Sequence, residues 1–244
     1  MKSSLIVIPT FNELENISRM IREIFSLYPD ASILIVDDSS PDGTAAAVKQ
    51  LQVEFPGKLF IEERAGKQGL GTAYIKGFKW AIAGNYEYIF EMDADFSHPP
   101  KDLVHLYDAC SREGVDVAIG SRYVKGGKVI NWPTGRVLMS YYASIYVRMI
   151  TWMPIRDTTA GFVCYRKKVL ETIDLDKIKF AGYAFQIEMK FAAWKLGFKI
   201  REVPIVFSDR LEGNSKMSKG IFREAVTGVW KMKWKSFFES YGHS

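Results

Sequence analysis

Short unbroken apolar runs alternate along this chain with stretches in which apolar residues recur every three or four positions. The first run, at 5–8, reads Leu-Ile-Val-Ile, the pattern of a strand buried on both faces of a parallel sheet. Behind it Ile17, Met20, Ile21 and Ile24 fall on one helical face. That spacing predicts a helix over 12–27, with Asn12 as N-cap and Glu13 and Glu15 in the favourable first turn. The alternation then predicts strands over 32–36, 59–62, 86–92 and 115–119, and helices over 42–54, 71–83 and 100–112. Strands alternating with helices across short loops predict an α/β fold with a mostly parallel central sheet flanked by helices. Ligands of such sheets bind at the carboxyl ends of the strands. Pro9-Thr10, Asp37-Asp38, Asp93-Ala94-Asp95 and Gly120-Ser121-Arg122 all stand at such ends. Four polar ends on one edge point to a site more strongly than any one of them.

Beyond Arg122 the texture changes. Residues 129–155 concentrate Trp132, Tyr141, Tyr142, Tyr146, Met149, Trp152 and Met153, interrupted by Arg136 and Arg148. A strand is predicted over 161–165, a helix over 183–196 and a last strand over 200–207, where Pro204 marks an edge or a bend. A basic loop spans 211–220. Over 221–241, Phe222, Val226, Val229, Trp230, Trp234, Phe237, Phe238 and Tyr241 give a predicted amphipathic helix a broad apolar face, with Arg223, Lys231 and Lys235 opposite. The expected division is a catalytic domain over 1–208, followed by a basic loop and amphipathic helix over 209–244.

The chemistry centres on Asp93 and Asp95. Carboxylates at i and i+2 at a strand end lie on one side and can share a divalent cation. Hard oxygen ligands suit Mg²⁺ or Mn²⁺, which keep open positions for substrate phosphates. Taken alone, the same spacing also describes a solvated turn. A second acidic pair, Asp37-Asp38, at the end of a second apolar run favours the first reading. The chain has 244 residues, 48% of them hydrophobic, and a net charge of +5. That suffices for one sizeable domain, and a basic balance suits nucleotide or lipid phosphates. No basic helix or RNA-binding signature supports a nucleic acid partner. Cys110 and Cys164 read as reduced core residues, not as a disulfide or zinc set. Pro9 breaks the first apolar run too early for a signal peptide, and no apolar run reaches about eighteen residues, so no transmembrane helix is predicted.

Pro9-Thr10-Phe11-Asn12-Glu13, Val36-Asp37-Asp38-Ser39-Ser40-Pro41-Asp42-Gly43-Thr44, Gly69-Leu70-Gly71 and Met92-Asp93-Ala94-Asp95-Phe96-Ser97-His98-Pro99-Pro100 together resemble the GT-A glycosyltransferases of family 2. Gly120-Ser121-Arg122-Tyr123, Asp157-Thr158-Thr159-Ala160-Gly161-Phe162 and Gly182-Tyr183-Ala184-Phe185-Gln186-Ile187-Glu188 extend the resemblance to the polyprenol-phosphate (dolichol-phosphate) mannose synthases. The likeness runs over residues 5–220. It implies a GT-A (nucleotide-diphospho-sugar transferase) fold, GDP-mannose as donor, a polyprenyl phosphate as acceptor and Mg²⁺ or Mn²⁺ as cofactor. It implies that Pro9, Phe11, Glu13, Val36 and Asp38 line the nucleotide. Asp93, Ala94 and Asp95 then meet the donor, with Asp95 on the metal and Asp93 on the ribose or sugar with metal contact. Ser97 matches a third metal-side position that is Gln in some relatives; its shorter hydroxyl is a weaker ligand, and a water can intervene. Arg122, Arg210 and Lys216 match phosphate-binding cations, and Arg136 and Ser140 the acceptor-phosphate segment. Asp95 and Arg122 form the implied catalytic pair.

Several of these residues carry a second reading: Phe11 as loop packing, Asp37 as loop support, Asp42 as a helix cap, His98 as packing in its turn, and Arg136 and Ser140 as the rim of a membrane-facing helix. Gly66, Gly69 and Gly71 do not form G-x-G-x-x-G, so a donor-site loop carrying Lys67 is expected in place of a dinucleotide site.

The resemblance implies inversion, the acceptor phosphate oxygen attacking the anomeric carbon as GDP leaves. A phosphate monoester is largely ionised at neutral pH, with a second pKa of about 6, and needs no general base. Consistently, 185–188 lacks the Glu-Asp pair of many sugar-to-sugar members, which leaves Gln186 and Glu188 as either site or structural residues. The stretches 129–155 and 221–241 read as interfacial helices or as cover for the core or a dimer. Many relatives carry C-terminal transmembrane helices without a counterpart here. A peripheral protein on the cytoplasmic face of a membrane is expected, or one held by a separate membrane-anchoring subunit. The alternatives are a polyprenyl-phosphate glucosyltransferase or other family 2 transferase, and a non-catalytic nucleotide-sugar-binding subunit. The intact set Asp93, Asp95, Arg122, Arg210 and Lys216 argues against the last. A phosphatase of the haloacid-dehalogenase type would carry its D-x-D after the first strand, not the fourth.

Overall fold

A computed structural model describes residues 1–182, 184–209 and 219–243, with side chains in the last stretch from 227 onward. The first half alternates as expected: β1 (Ser4–Thr10), α1 (Leu14–Leu27), β2 (Ser32–Asp37), α2 (Thr44–Leu51), β3 (Leu59–Glu63), α3 (Leu70–Ala83), β4 (Tyr88–Glu91), α4 (Leu103–Ser111) and β5 (Val117–Ser121). The second half adds β6 (Lys128–Ile130), α5 (Thr134–Thr151), β7 (Val163–Arg166), α6 (Lys167–Thr172), α7 (Ala184–Lys195), β8 (Ile200–Pro204), β9 (Val206–Ser208) and α8 (Lys219–Lys235).

Seven strands form one sheet in the order β3-β2-β1-β4-β7-β5-β8. All run parallel except β7, which lies antiparallel between β4 and β5. The carboxyl ends of β1, β2, β4 and β5 therefore share one edge, as the sequence predicts. The unbroken run in β1 follows from its central place. Leu5 and Val7 face one apolar core, Ile6 and Ile8 the other, and all four are fully buried, as strand alternation between two covered faces requires. Cys110 and Cys164 are buried and reduced.

The structure corrects several local expectations. Asn12 does not cap α1. It sits at φ 57°, a left-handed conformation that Asn tolerates, and its N–H donates to Ser40 Oγ at 3.0 Å. Asp42 serves instead. Its Oδ2 accepts the Leu14 N–H at 3.1 Å and its Oδ1 the Thr44 N–H at 3.0 Å, so one loop carboxylate ties the starts of α1 and α2. The helix predicted to reach Glu54 ends at Leu51. The strand predicted over 86–92 starts at Tyr88, because the Tyr86 N–H still closes the end of α3 on Ala81 O at 3.1 Å. The strand predicted over 200–207 breaks at Pro204: β8 edges the large sheet while β9 pairs with β6 in a separate parallel ribbon. Tyr183, expected in a helix, lies outside the described residues.

Gly71 shows why α3 begins where it does. Its N–H donates to Ala181 O at 2.8 Å, and a Cβ there would stand 2.5 Å from Phe180 O and 2.9 Å from Phe185 Cβ. A backbone carbonyl and a fully buried ring cannot step aside. Gly71→Ala is expected to destabilise the fold by about 1–3 kcal/mol, read as a lower urea midpoint at an unchanged slope.

Candidate active site

After β4 the chain turns sharply through Phe96, held at φ 62°, and this turn sets two carboxylates differently. Asp95 is buried; its Oδ1 accepts the Ser97 N–H at 3.1 Å and the Ser97 hydroxyl at 2.6 Å. Asp93 keeps 36% of its side chain exposed, accepts the Tyr74 hydroxyl at 3.4 Å, and donates its N–H to His98 Nδ1 at 3.3 Å. Ser97 thus donates two hydrogen bonds to Asp95 and orients it. His98 stacks on Phe162 at 5.1 Å. Burial pushes its pKa down to about 4, so it is a neutral acceptor packed in the turn.

Asp93 and Asp95 open onto one cavity of about 460 Å³. Their oxygens suit a hard divalent cation. Among the described residues no cluster of three His, Cys, Asp or Glu side chains could cage one. The remaining positions would fall to substrate phosphate and water, the coordination Mg²⁺ prefers.

Arg122, at the end of β5, lines the same cavity and is almost wholly buried. Its Nε donates to Asp157 Oδ2 at 2.7 Å, its Nη2 to Asp157 Oδ1 at 2.6 Å and to Thr159 Oγ1 at 2.8 Å, and its backbone N–H to Asp157 Oδ2 at 2.9 Å. Burial works against the guanidinium charge, but Asp157 outweighs it and the pKa is raised. Tyr123, Phe207 and Trp132 surround the guanidinium at 5.1–5.6 Å. Glu202 on β8 fixes the Asp157 loop by accepting the Asp157 N–H at 2.8 Å and the Ser121 hydroxyl at 2.8 Å. Among the described residues Nη1 alone of the guanidinium nitrogens takes no part in these bonds.

Arg136 and Ser140, one helical turn apart on α5, line the cavity together. Arg136 lies 4.0 Å over Trp132 and donates Nη1 to Asp209 at 3.1 Å. Below the cavity floor sits a buried polar cluster. Lys190 donates to Ala160 O at 2.6 Å and Gln186 O at 3.0 Å, its pKa lowered by burial to about 8. Burial raises Glu91 to about 8. Glu188 Oε2 accepts the Lys179 and Phe180 N–H groups at 2.8 and 3.0 Å, a structural role.

Pro9, Phe11, Glu13, Val36 and Asp38 lie at or just beyond the same sheet edge but do not line this cavity. Lys67 sits 4.8 Å over the Phe11 ring. Asp38 is paired with Arg64, whose Nε donates to it at 2.6 Å. Val36 is fully buried, backbone included, between β1 and β3. Asp37 supports its loop by accepting the Thr10 hydroxyl at 2.7 Å and the Ser40 N–H at 2.8 Å. Ala94 is buried in the acidic turn. Arg210 and Lys216 lie outside the described residues.

Sequence reasoning missed the partners. Asp157 stood in a quoted motif without a role. Trp132 was counted among interfacial aromatics, and Arg64 directly follows β3 without having been singled out. Asp209 carried no signal beyond its place before Arg210.

Residues 5–174 match the family model described as glycosyl transferase family 2. The chain is 45% identical over 226 residues to polyprenol monophosphomannose synthase of Mycolicibacterium smegmatis, covering 93% of this chain and 85% of that one. It is 44% identical to undecaprenyl-phosphate mannosyltransferase of Micrococcus luteus, covering 92% and 91%, and 37% identical to dolichol-phosphate mannosyltransferase of Pyrococcus furiosus, covering 94% and 64%. Glucosyl-3-phosphoglycerate synthase from Mycobacterium tuberculosis, solved with Mn²⁺, uridine diphosphate and glucosyl-3-phosphoglycerate, superposes with a TM-score of 0.70 at 15% identity, over 96% of this chain and 80% of that one; at that identity the likeness is one of fold. Similarity of this depth, sustained through every segment that builds the sheet edge, means that the chain belongs to glycosyl transferase family 2 and is a glycosyltransferase of GT-A fold.

Proposed function

We propose that the protein transfers mannose from GDP-mannose to the phosphate of a polyprenyl phosphate, at the cytoplasmic face of a membrane and with a divalent cation bound. The observation that carries this reading is the mixed lining of the cavity. Asp93, Asp95 and Arg122 share it with Met139, Tyr142, Ala143, Tyr146 and Val147 of α5, and with Arg136 and Ser140 of the same helix. A sugar acceptor would call for a wall of hydroxyl-binding groups, whereas an apolar wall ending in a cation suits a hydrocarbon chain with a phosphate head. The mannosyltransferase names of the relatives support the same substrates.

In this reading Phe11, Lys67 and Asp38 take the nucleoside, and Asp93 and Asp95 hold the cation. When bound, the cation neutralises charge on the leaving diphosphate. Arg122 Nη1 adds a fixed positive edge, held in place by Asp157 before substrate arrives. Arg136 and Ser140 meet the acceptor phosphate and aim its oxygen at the anomeric carbon. With Lys190 turned to backbone carbonyls and His98 neutral and packed, neither serves as a base, and an ionised phosphate needs none.

Met149 on α5, Trp152 just after it, and Trp230, Trp234, Phe237 and Phe238 on and after α8 are exposed, while Val229 and Met232 on the opposite side of α8 join the core. Lys233 reaches 4.1 Å from the Trp152 ring. Aromatic rings edged by lysines fit an interfacial surface. No described helix is long and apolar enough to cross a membrane. Donor choice is tested by turnover with GDP-mannose, GDP-glucose and UDP-glucose on one polyprenyl phosphate. GDP-mannose is expected to lead; preference for UDP-glucose would move the assignment to glucosyl transfer.

A further inference from the structure

Gln186, Lys190 and Glu91 come together at the cavity floor, and the proposed transfer gives none of them a role. Gln186 is 2% exposed and lines the cavity with Asp93, His98 and Gly161. Its Oε1 accepts from Lys190 Nζ at 3.5 Å. An ammonium attracts an amide oxygen and repels an amide NH₂, so Lys190 fixes the flip of this amide with its nitrogen turned away. Lys190 also donates to Ala160 O at 2.6 Å and to Gln186 O at 3.0 Å, which pins it. Gln186 Nε2 is buried and, among the described residues, completes no hydrogen bond. Glu91 lies near: the Lys190 charge and the Gln186 side chain both oppose the upward push of burial on its carboxyl. An amide nitrogen carries two hydrogens, so one remains even when the other serves Glu91. A buried donor without a partner is costly, and such exceptions call for a reason. Gly161 shows where the partner enters. A Cβ there would stand 3.7 Å from Gln186 Nε2 and 3.7 Å from His98 Cε1, so the bare backbone of Gly161 keeps the nitrogen within reach of the cavity.

We infer that Gln186 is a specificity-determining residue for the transferred sugar, its amide N–H donating to one hydroxyl oxygen of the hexose in the cavity. This rests on the proposed reading that the donor sugar occupies this cavity. A neutral amide that shares a cavity with two carboxylates suits a neutral hydroxyl, while the arginines of the same cavity suit the phosphates. A site built to hydrogen-bond a substrate hydroxyl rejects the analogue without it, because its own buried group is then left unpaired. Lys190 is the positioning residue behind this selection: it decides that an N–H, not a carbonyl, faces the sugar.

The test measures kcat/KM for GDP-mannose and its monodeoxy analogues with the native protein, Gln186→Leu and Gly161→Ala. Calorimetric binding of GDP, which lacks the sugar, is expected to stay unchanged and checks the fold. Gln186→Leu is expected to lower kcat/KM for GDP-mannose roughly five- to hundredfold. One monodeoxy analogue, poor with the native protein, is expected to be used by the variant as well as GDP-mannose itself, since residue and hydroxyl act through one contact. Gly161→Ala is expected to give the same loss and the same levelling. Its Cβ makes ordinary contacts and covers the amide without altering Lys190, so it decides the matter even if Gln186→Leu does not fold. A Gln186→Leu protein that binds GDP normally and keeps both its rate and its penalty for every deoxy analogue would overturn the assignment. So would a loss confined to KM for polyprenyl phosphate, which would give the hydrogen to the acceptor. Native protein that uses UDP-glucose in place of GDP-mannose would fail the donor reading alone, and the same comparison on deoxy analogues of UDP-glucose then decides Gln186.

Discussion

Asp95→Ala is expected to lower sugar transfer by roughly 10²–10³-fold, the scale of losing one preorganised electrostatic contribution to the transition state, here that of the cation Asp95 would hold, while the protein stays folded. The size follows from placement. Asp95 is the buried member of the acidic pair, and Ser97 fixes it from both its hydroxyl and its backbone N–H. A carboxylate that is already oriented pays little ordering entropy when a cation binds. Asp93 is more exposed, so Asp93→Ala is expected to be the milder lesion. Ser97→Ala should act through Asp95, weakening metal affinity more than maximal turnover at saturating metal. The measurement is activity against Mg²⁺ and Mn²⁺ concentration, with circular dichroism confirming the fold. Undiminished turnover of Asp95→Ala would remove the metal assignment.

The largest effect on stability is expected from Asp157→Ala. The change leaves the Arg122 guanidinium buried without its counter-charge, a lesion that costs about 3–5 kcal/mol. For a chain of this length that corresponds to a drop in Tm of about 6–20 °C. Activity should fall with it, because Arg122 loses the groups that fix its orientation. An apolar double replacement, Arg122→Met with Asp157→Leu, separates the two effects. It removes both charges, so most of the stability should return while transfer stays low. If the double variant is as unstable as Asp157→Ala, the loss comes from the loop that Glu202 anchors and not from an unpaired charge. Calorimetric melting of the three variants reads this directly.

How much of this was legible in the sequence depends on range. The sheet edge was readable because apolar runs and helical periodicity are local, and because a parallel sheet forces strand ends to one side. Asp93 and Asp95 stood out on those grounds alone. The parts that were not legible are pairings between distant segments. Nothing local says that Arg122 meets Asp157 thirty-five positions on, or that Arg136 meets Asp209 seventy-three positions on. Asn12 failed as a cap for the same reason: the group that serves α1 comes from Asp42, across a loop. The antiparallel β7 was also hidden, since a short buried strand reads the same in either direction. Family resemblance named Arg122 and Arg136 as cations, but the structure shows what each is already bonded to, which changes what each can offer a phosphate. The aromatic stretches were legible as unusual, yet their division into buried Val229 and Met232 and exposed Trp230 and Trp234 needed the packing of α8 against α5 and α7.

The central claim is that one cavity brings a nucleotide-activated mannose to a lipid phosphate with the help of a cation held by Asp93 and Asp95. The most direct test is transfer of labelled mannose from GDP-mannose to a polyprenyl phosphate in detergent, with Mg²⁺ or Mn²⁺ and with EDTA. The predicted result is an acid-labile mannolipid that forms with metal, disappears with EDTA and returns when metal is restored. A mannolipid that forms equally in EDTA would contradict the role given to the acidic pair, and protein that binds GDP but yields no lipid product under any metal would contradict the substrates.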